Sequence, residues 1–175
     1  MRSIEVAMLF IGRQRGHTAI SNLSLNKLVY LAQVESLKTR NGMPLFDDRI
    51  EAWDYGPVEP VVYHMFKQFG RDPVSIPSDY PISSIQVPDY ATRIVDSVLE
   101  RYGSLSAFDL VNITHREGGA WKNVYVAGGN AEITIEDILA SEDCNSEMDL
   151  NKTLTAGVRS VEKKWPNALR MLQDA

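Results

Sequence analysis

Apolar residues recur at three- and four-residue spacings through most of this 175-residue sequence, which is the period of one helix face and not of a strand. Ile4, Ala7, Met8 and Ile11 form a first stripe, with Ser3 as the expected cap and Gly12 or Gly16 as the expected stop. A second helix is expected over residues 25–40, with Leu25, Leu28, Val29 and Ala32 on its buried face, Ser24 as its cap and Asn41-Gly42 as its stop. Residues 49–53 alternate polar and apolar and read as a short strand. The chain then turns at Tyr55-Gly56-Pro57, and a helix is expected to begin at Pro57 with the stripe Val58, Val61, Val62, Met65, Phe66 and Phe69, closed by Gly70.

Residues 71–86 read as loop, with Val74 and Ile76 as a short strand that could pair with residues 49–53. Asp89 is the expected cap of a helix whose stripe is Ile94, Val95, Val98, Leu99 and Tyr102. Ser106 and Asp109 have capping-box spacing, flanked by Leu105 and Leu110 where a hydrophobic staple would sit, and Thr134 with Asp137 repeats the box before a helix ending near Ala140. Residues 141–152 are acidic and poor in apolar groups, so they read as a linker. Beyond them Leu154, Val158, Val161 and Trp165 mark a last amphipathic helix, kinked or ended by Pro166. The expected fold is therefore mainly α: a compact helical domain over residues 1–140 with a small two-stranded β patch, and a C-terminal helical appendage over 141–175.

Charge narrows the range of functions. The net charge is −5, so a large nucleic-acid footprint is not expected. The charge is also segregated: residues 1–40 hold six basic and two acidic groups, whereas residues 130–152 hold one basic and seven acidic groups. Such alternation is either plain solvated surface or a field that steers a charged protein partner. Binding of nucleic acid would need Arg2, Arg13, Arg15, Lys27, Lys38 and Arg40 to share a face. The single cysteine, Cys144, excludes an internal disulfide framework and a cysteine-rich zinc site, and its acidic neighbours make it a poor nucleophile. No apolar run approaches the roughly 20 residues of a bilayer span, so no membrane association and a cytoplasmic location are expected.

Catalytic sets are hard to assemble. His17, His64 and His115 read as surface or capping residues, and His115-x-Glu117 is too short for a metal motif. No phosphate-binding glycine loop or nucleophile elbow occurs. The carboxylates Asp47, Asp48, Glu51 and Asp54 could serve a hydrolase only if His115 joined them in one pocket. No enzyme activity, cofactor or metal is expected. The aromatics Trp53, Tyr55 and Trp121 sit beside turns, where they either plug the core or form a protein-binding surface.

Several segments together point to one family. Lys27-Leu28-Val29-Tyr30-Leu31-Ala32-Gln33 resembles its helical signature. Gly42-Met43-Pro44-Leu45-Phe46, followed by Glu51-Ala52-Trp53-Asp54-Tyr55-Gly56-Pro57-Val58-Glu59-Pro60-Val61-Val62-Tyr63, is similar to its central motif. Leu110 to Glu117, with Thr114-His115, and Trp121 resemble a third element. The family is the Panacea antitoxin domain, which includes SocA-like and GepA-like phage-associated proteins. The resemblance implies a mostly helical fold without catalytic activity and a cognate protein toxin as partner. SocA-like members are also similar to adaptors that deliver a toxin to a Clp-type protease. Lys27, Leu28, Tyr30, Glu51, Ala52, Trp53, Gly56, Pro57, Tyr63, Thr114 and His115 are the positions that carry the signature here. Candidate toxin contacts are Trp53, Tyr55, Trp121, Val158, Val161 and Trp165.

Overall fold

The computed structural model describes residues 1–14, 19–78, 80, 86–147 and 149–164, the side chains of 152 and 160–164 excepted. It is mainly helical with one two-stranded sheet. Helices α1 (Ser3–Arg13), α2 (Asn22–Thr39) and α4 (Asp89–Tyr102) pack on one another, and α3 (Pro60–Phe66) and α5 (Ala107–Thr114) close the core around α2.

Helix α2 sets the plan. It begins one turn earlier than expected because the Ser21 hydroxyl, not Ser24, accepts the Ser24 N–H at 3.3 Å. It ends where expected, at Asn41 and Gly42, which have φ of 52° and 78°. Its burial is not one-sided. Asn22, Asn26, Lys27, Gln33 and Ser36 are as buried as Leu25, Leu28 and Val29. Buried polar groups demand partners, and these find them in the irregular chain nearby. The Gln33 Nε2 donates to Phe46 O at 2.9 Å, its Oε1 accepts from Leu45 N at 2.8 Å and from Phe46 N at 3.3 Å, and Ser36 Oγ donates to Met43 O at 2.9 Å. Residues 43–46 thus fold against α2 without forming an element of their own.

The strand reading of residues 49–53 holds over Glu51–Trp53, whereas its expected partner and the helix start at Pro57 need correction. Strand β1 (Glu51–Trp53) pairs antiparallel with β2 (Gly56–Val58), in the register Glu51↔Val58, Ala52↔Pro57 and Trp53↔Gly56. Residues 74–76 are not the partner; Val74 N donates instead to Ile20 O at 2.8 Å. The far side of β1 is met by residues 131–133, through Ala52 N to Ala131 O and Ile133 N to Ile50 O, both at 2.8 Å. Helix α3 starts at Pro60, because Glu59 remains extended and its carboxylate accepts from Val61 N at 3.2 Å and Val62 N at 2.7 Å. Proline at the first helical position loses no hydrogen bond. Of the expected stripe, Val62 and Phe66 are buried, whereas Val61 points out.

The other stops and caps shift only slightly. Helix α1 begins at Ser3, one residue before the expected first turn, and runs through Gly12. Pro88, not Asp89, precedes α4, whose stripe is buried as the spacing predicts. The capping boxes Ser106/Asp109 and Thr134/Asp137 start α5 and α7 (Ile135–Ala140), and α6 (Ala120–Val124) lies between them.

The acidic stretch after Ala140 does not begin as a linker. Ser141 caps a one-turn helix, α8 (Glu142–Asn145), and Asp143 is fully buried against α2. Its Oδ2 accepts from Tyr30 Oη at 2.6 Å and from Ala120 N at 3.0 Å. A charge hidden among charges looks solvated in sequence, but this carboxylate has two buried donors to satisfy. Beyond it, residues 150–152 form a short 3₁₀ turn and α9 (Leu154–Lys164) follows. A chain ending at Ala140 should therefore lose stability, at about 1–3 kcal/mol for each of the two donors left unpaired. A chain ending at Glu147 should keep Asp143 and melt near the full-length value; equal melting temperatures for the two would contradict this.

Candidate functional site

The β1–β2 hairpin is the most distinctive local structure, and its tip, Asp54-Tyr55, carries one of two strongly exposed aromatic rings among the described residues, the other being Phe108 on α5 at 74%. Tyr55 is 71% exposed. Behind it lies a chain of stacked rings. His115 lies flat on Trp121, with ring centroids 3.6 Å apart and planes 10° apart, and Trp121 stacks on Tyr125 at 4.5 Å. The Trp121 Nε1 donates to Trp53 O at 2.8 Å and the Tyr125 hydroxyl donates to Asp54 Oδ1 at 2.7 Å. Trp53 donates to Glu51 Oε2 at 2.8 Å and meets Tyr63 edge-on at 4.8 Å. Aromatic contacts of these kinds add to simple burial. A cleft of about 370 Å³ opens between the tip and α3, lined in part by Asn26, Trp53, Tyr55, Tyr63 and Lys67.

The hairpin is held from beneath by Lys27. This side chain is completely buried, and its Nζ donates to Pro57 O at 2.8 Å. Gly56 makes the approach possible. Its φ is +103°, and a Cβ there would lie 2.9 Å from Lys27 Cε and 3.0 Å from Thr114 Oγ1. Thr114 turns its hydroxyl back to Leu110 O at 3.0 Å, which leaves the space for the lysine head. Leu28 and Ala52 complete the packing, and Asn26 Oδ1 accepts from Glu59 N at 3.1 Å. Burial lowers the Lys27 pKa to about 7, since a dry interior disfavours the ammonium ion. Burial, and then the neighbouring Lys27 charge, lower His115 to about 4. His115 is therefore neutral at pH 7, and its buried Nε2 has no hydrogen-bond partner.

This arrangement sorts the residues singled out from sequence. Lys27, Leu28, Gly56, Pro57, Thr114, His115 and Trp121 support the hairpin from inside. Trp121 is 5% exposed, so a partner meets it only through the surface it props up. Tyr55 is outward, with Trp53 and Tyr63 half-buried beside it. Val158 on α9 is exposed, while the Val161 side chain and the whole of Trp165 and His17 lie outside the described residues. The carboxylates do not assemble with His115. Asp48 accepts from Ser3 N, Glu51 from Trp53 and Asp54 from Tyr125. Asp47 and Asp48 line a separate cleft with Glu132 and Glu136, and His115 is not among its lining residues. Among the described residues no group of His, Cys, Asp and Glu side chains is placed to hold a metal ion. Of the described basic residues of the first forty, Lys27 is buried and so shares no outer face with the rest, Arg13 pairs with Asp96 at 2.5 Å and Arg40 covers the Tyr90 ring at 3.8 Å, while Arg15 lies outside the described residues. Cys144 is half-buried, and burial pushes its thiol pKa up. No described helix is long and apolar enough to cross a membrane.

The supporting residues coincide with a family pattern. The family described as "Antitoxin SocA-like, Panacea domain" matches residues 25–122, from α2 to α6. The chain belongs to this antitoxin family. The protein named Antitoxin SocA from Caulobacter vibrioides (strain NA1000 / CB15N) is 37% identical over 111 residues. That match covers 58% of this chain and 58% of the Caulobacter protein, so the chain spans little more than half the length of the relative it matches. No solved structure matches it.

The buried lysine has a measurable signature. An unfolded lysine keeps its proton up to about 10.5, whereas the folded Lys27 releases it near 7. Between these values the unfolded chain binds more protons, so stability must rise with pH. Unfolding free energy should increase from pH 7.5 to 9.5, and Lys27→Met should flatten that rise. A slope unchanged by the substitution would show that Lys27 stays charged.

Proposed function

We propose that this protein is an antitoxin that neutralises a cognate protein toxin by direct binding in the cytoplasm, without catalysis. The observation that carries this reading is the family match over residues 25–122, together with a relative whose name is Antitoxin SocA. The geometry supports a binding role. An exposed tyrosine stands on a hairpin fixed by a stack of three rings and a buried lysine, so little backbone freedom remains to be lost on association. The contact surface on this reading is Tyr55 with the flanking Trp53 and the adjoining cleft, and a second contact comes from the α9 side that carries Val158. Val161 and Trp165 extend that second contact in sequence.

Co-expression with the toxin encoded beside it tests the proposal. Growth should be rescued and the two proteins should purify as one complex, including in a strain lacking Clp-type proteases. Tyr55→Ala should leave the melting temperature unchanged and weaken the complex by about 2 kcal/mol, roughly thirtyfold. Rescue that disappears in the protease-deficient strain would favour delivery of the toxin to a protease. Rescue there without any detectable complex would overturn direct binding.

A further inference from the structure

Helix α9 is attached to the domain in an unusual way. None of its described side chains is buried, and its large apolar residues face outward, with Leu154 63% and Val158 45% exposed. Among these described side chains, apolar packing, which stabilises most helices in proteins, is therefore not what holds it. The attachment is polar and converges on one carboxylate. Asp109 Oδ1 accepts from Leu154 N at 2.6 Å, and Asp109 Oδ2 accepts from Thr155 N at 3.2 Å and from the Thr155 hydroxyl. Thr155 Oγ1 in turn accepts from Ser106 N at 3.3 Å.

The same carboxylate already belongs to α5. Ser106 Oγ donates to Asp109 Oδ2 at 2.8 Å and accepts from Asp109 N at 3.1 Å. Asp109 thus completes the start of two helices at once, its own and α9. A carboxylate at a helix start satisfies orphan N–H groups and faces the positive end of the helix dipole. Burial works to raise the Asp109 pKa, but hydrogen bonds from Thr155, Ser106 and Leu154 outweigh it and hold the group below the ordinary value.

We propose that α9 is a latched strap, docked to the domain through the Asp109 carboxylate and able to leave it without unfolding the rest. Two features make release local. The Ser106–Asp109 box also closes through its own bonds, with Ser106 N reaching Asp109 Oδ2 at 3.3 Å, so α5 keeps its cap when α9 departs. A cleft of about 370 Å³ beside the contact, lined by Asp109, Asn112, Ile113, Arg116, Glu147 and Thr153, admits the water that would solvate the freed carboxylate. Release also has a definite structural outcome. α9 has 11 residues, and helices shorter than about 12–15 residues are marginal alone in water. Undocking and loss of the helix are one event, and docking and folding are its reverse. The strap is a property of this chain alone and stands apart from the identity of any partner.

Amide hydrogen exchange on the full chain reads this event directly. Asp109→Asn keeps an oxygen for the α5 box and removes the charge that holds α9. Exchange over residues 157–164 should become about tenfold faster, while α2, α4 and α5 keep their protection. Thr155→Val removes the latch hydroxyl and leaves the Ser106–Asp109 bonds in place, so it gives the same readout, by about threefold, if the first variant fails to fold. Unchanged α9 exchange in the folded variants would overturn the proposal. So would acceleration that appears equally in α2 and α4, because α9 would then open only with the whole domain.

Discussion

The hydrogen bonds that leave α2 sideways are what the rest of the structure depends on. A buried helix normally offers its neighbours apolar surface. This one also offers a polar group on nearly every turn, and each is matched to a backbone group or a carboxylate. Asn22 donates to Tyr63 O at 3.3 Å, Lys27 to Pro57 O at 2.8 Å, Tyr30 to Asp143 at 2.6 Å and Ser36 to Met43 O at 2.9 Å. Gln33 serves Leu45 and Phe46, and Asn26 serves Glu59. Residues 43–63 contain little regular structure, yet their buried peptide groups must be satisfied. Helix α2 satisfies them, and so fixes where each piece of irregular chain lies.

The hairpin follows from this constraint. Two strands of three residues would not persist alone in water. They persist here because Lys27 fixes β2 from below, Trp121 fixes the Trp53 carbonyl, and residues 131–133 close the far edge of β1. A lysine was needed at the first of these points because a long stem must cross the core and still end in a donor. Burial lowers the Lys27 pKa, and burial followed by the Lys27 charge lowers that of His115, so two basic side chains sit together in one interior. The family match over residues 25–122 spans Lys27, the hairpin and Trp121, and Tyr55 stands exposed at the hairpin tip.

Much of this was visible in sequence where one element decides its own form. The stripe Ile94, Val95, Val98, Leu99 and Tyr102 is buried as its spacing requires, and both capping boxes form. What could not be read was any assignment set by a distant partner. Pro57 suits a helix start equally well as an edge strand, and only the reach of Lys27 decides for the strand. Asn26, Lys27 and Gln33 look like a solvent face until the loop that covers them is in place. Asp143 looks solvated until Tyr30 and Ala120 meet it, 113 and 23 residues away in the chain. For the same reason the second role of Asp109, at the start of α9, is not implied by its capping box. The family resemblance pointed to these positions without showing that Trp121 is buried and Tyr55 exposed.

Gln33 gives the most direct test of the claim that polar bonds from α2 hold the irregular chain. It is buried, touches no charged group through its hydrogen bonds, and satisfies two N–H groups and one carbonyl of residues 45 and 46. Methionine matches its length and apolar volume while removing all three bonds. Equilibrium denaturation of Gln33→Met against the parent protein is the decisive measurement. The account predicts a loss of about 2–4 kcal/mol, since buried peptide groups are left without partners. A loss below about 0.5 kcal/mol would contradict it, because apolar packing alone would then be sufficient to place residues 43–46.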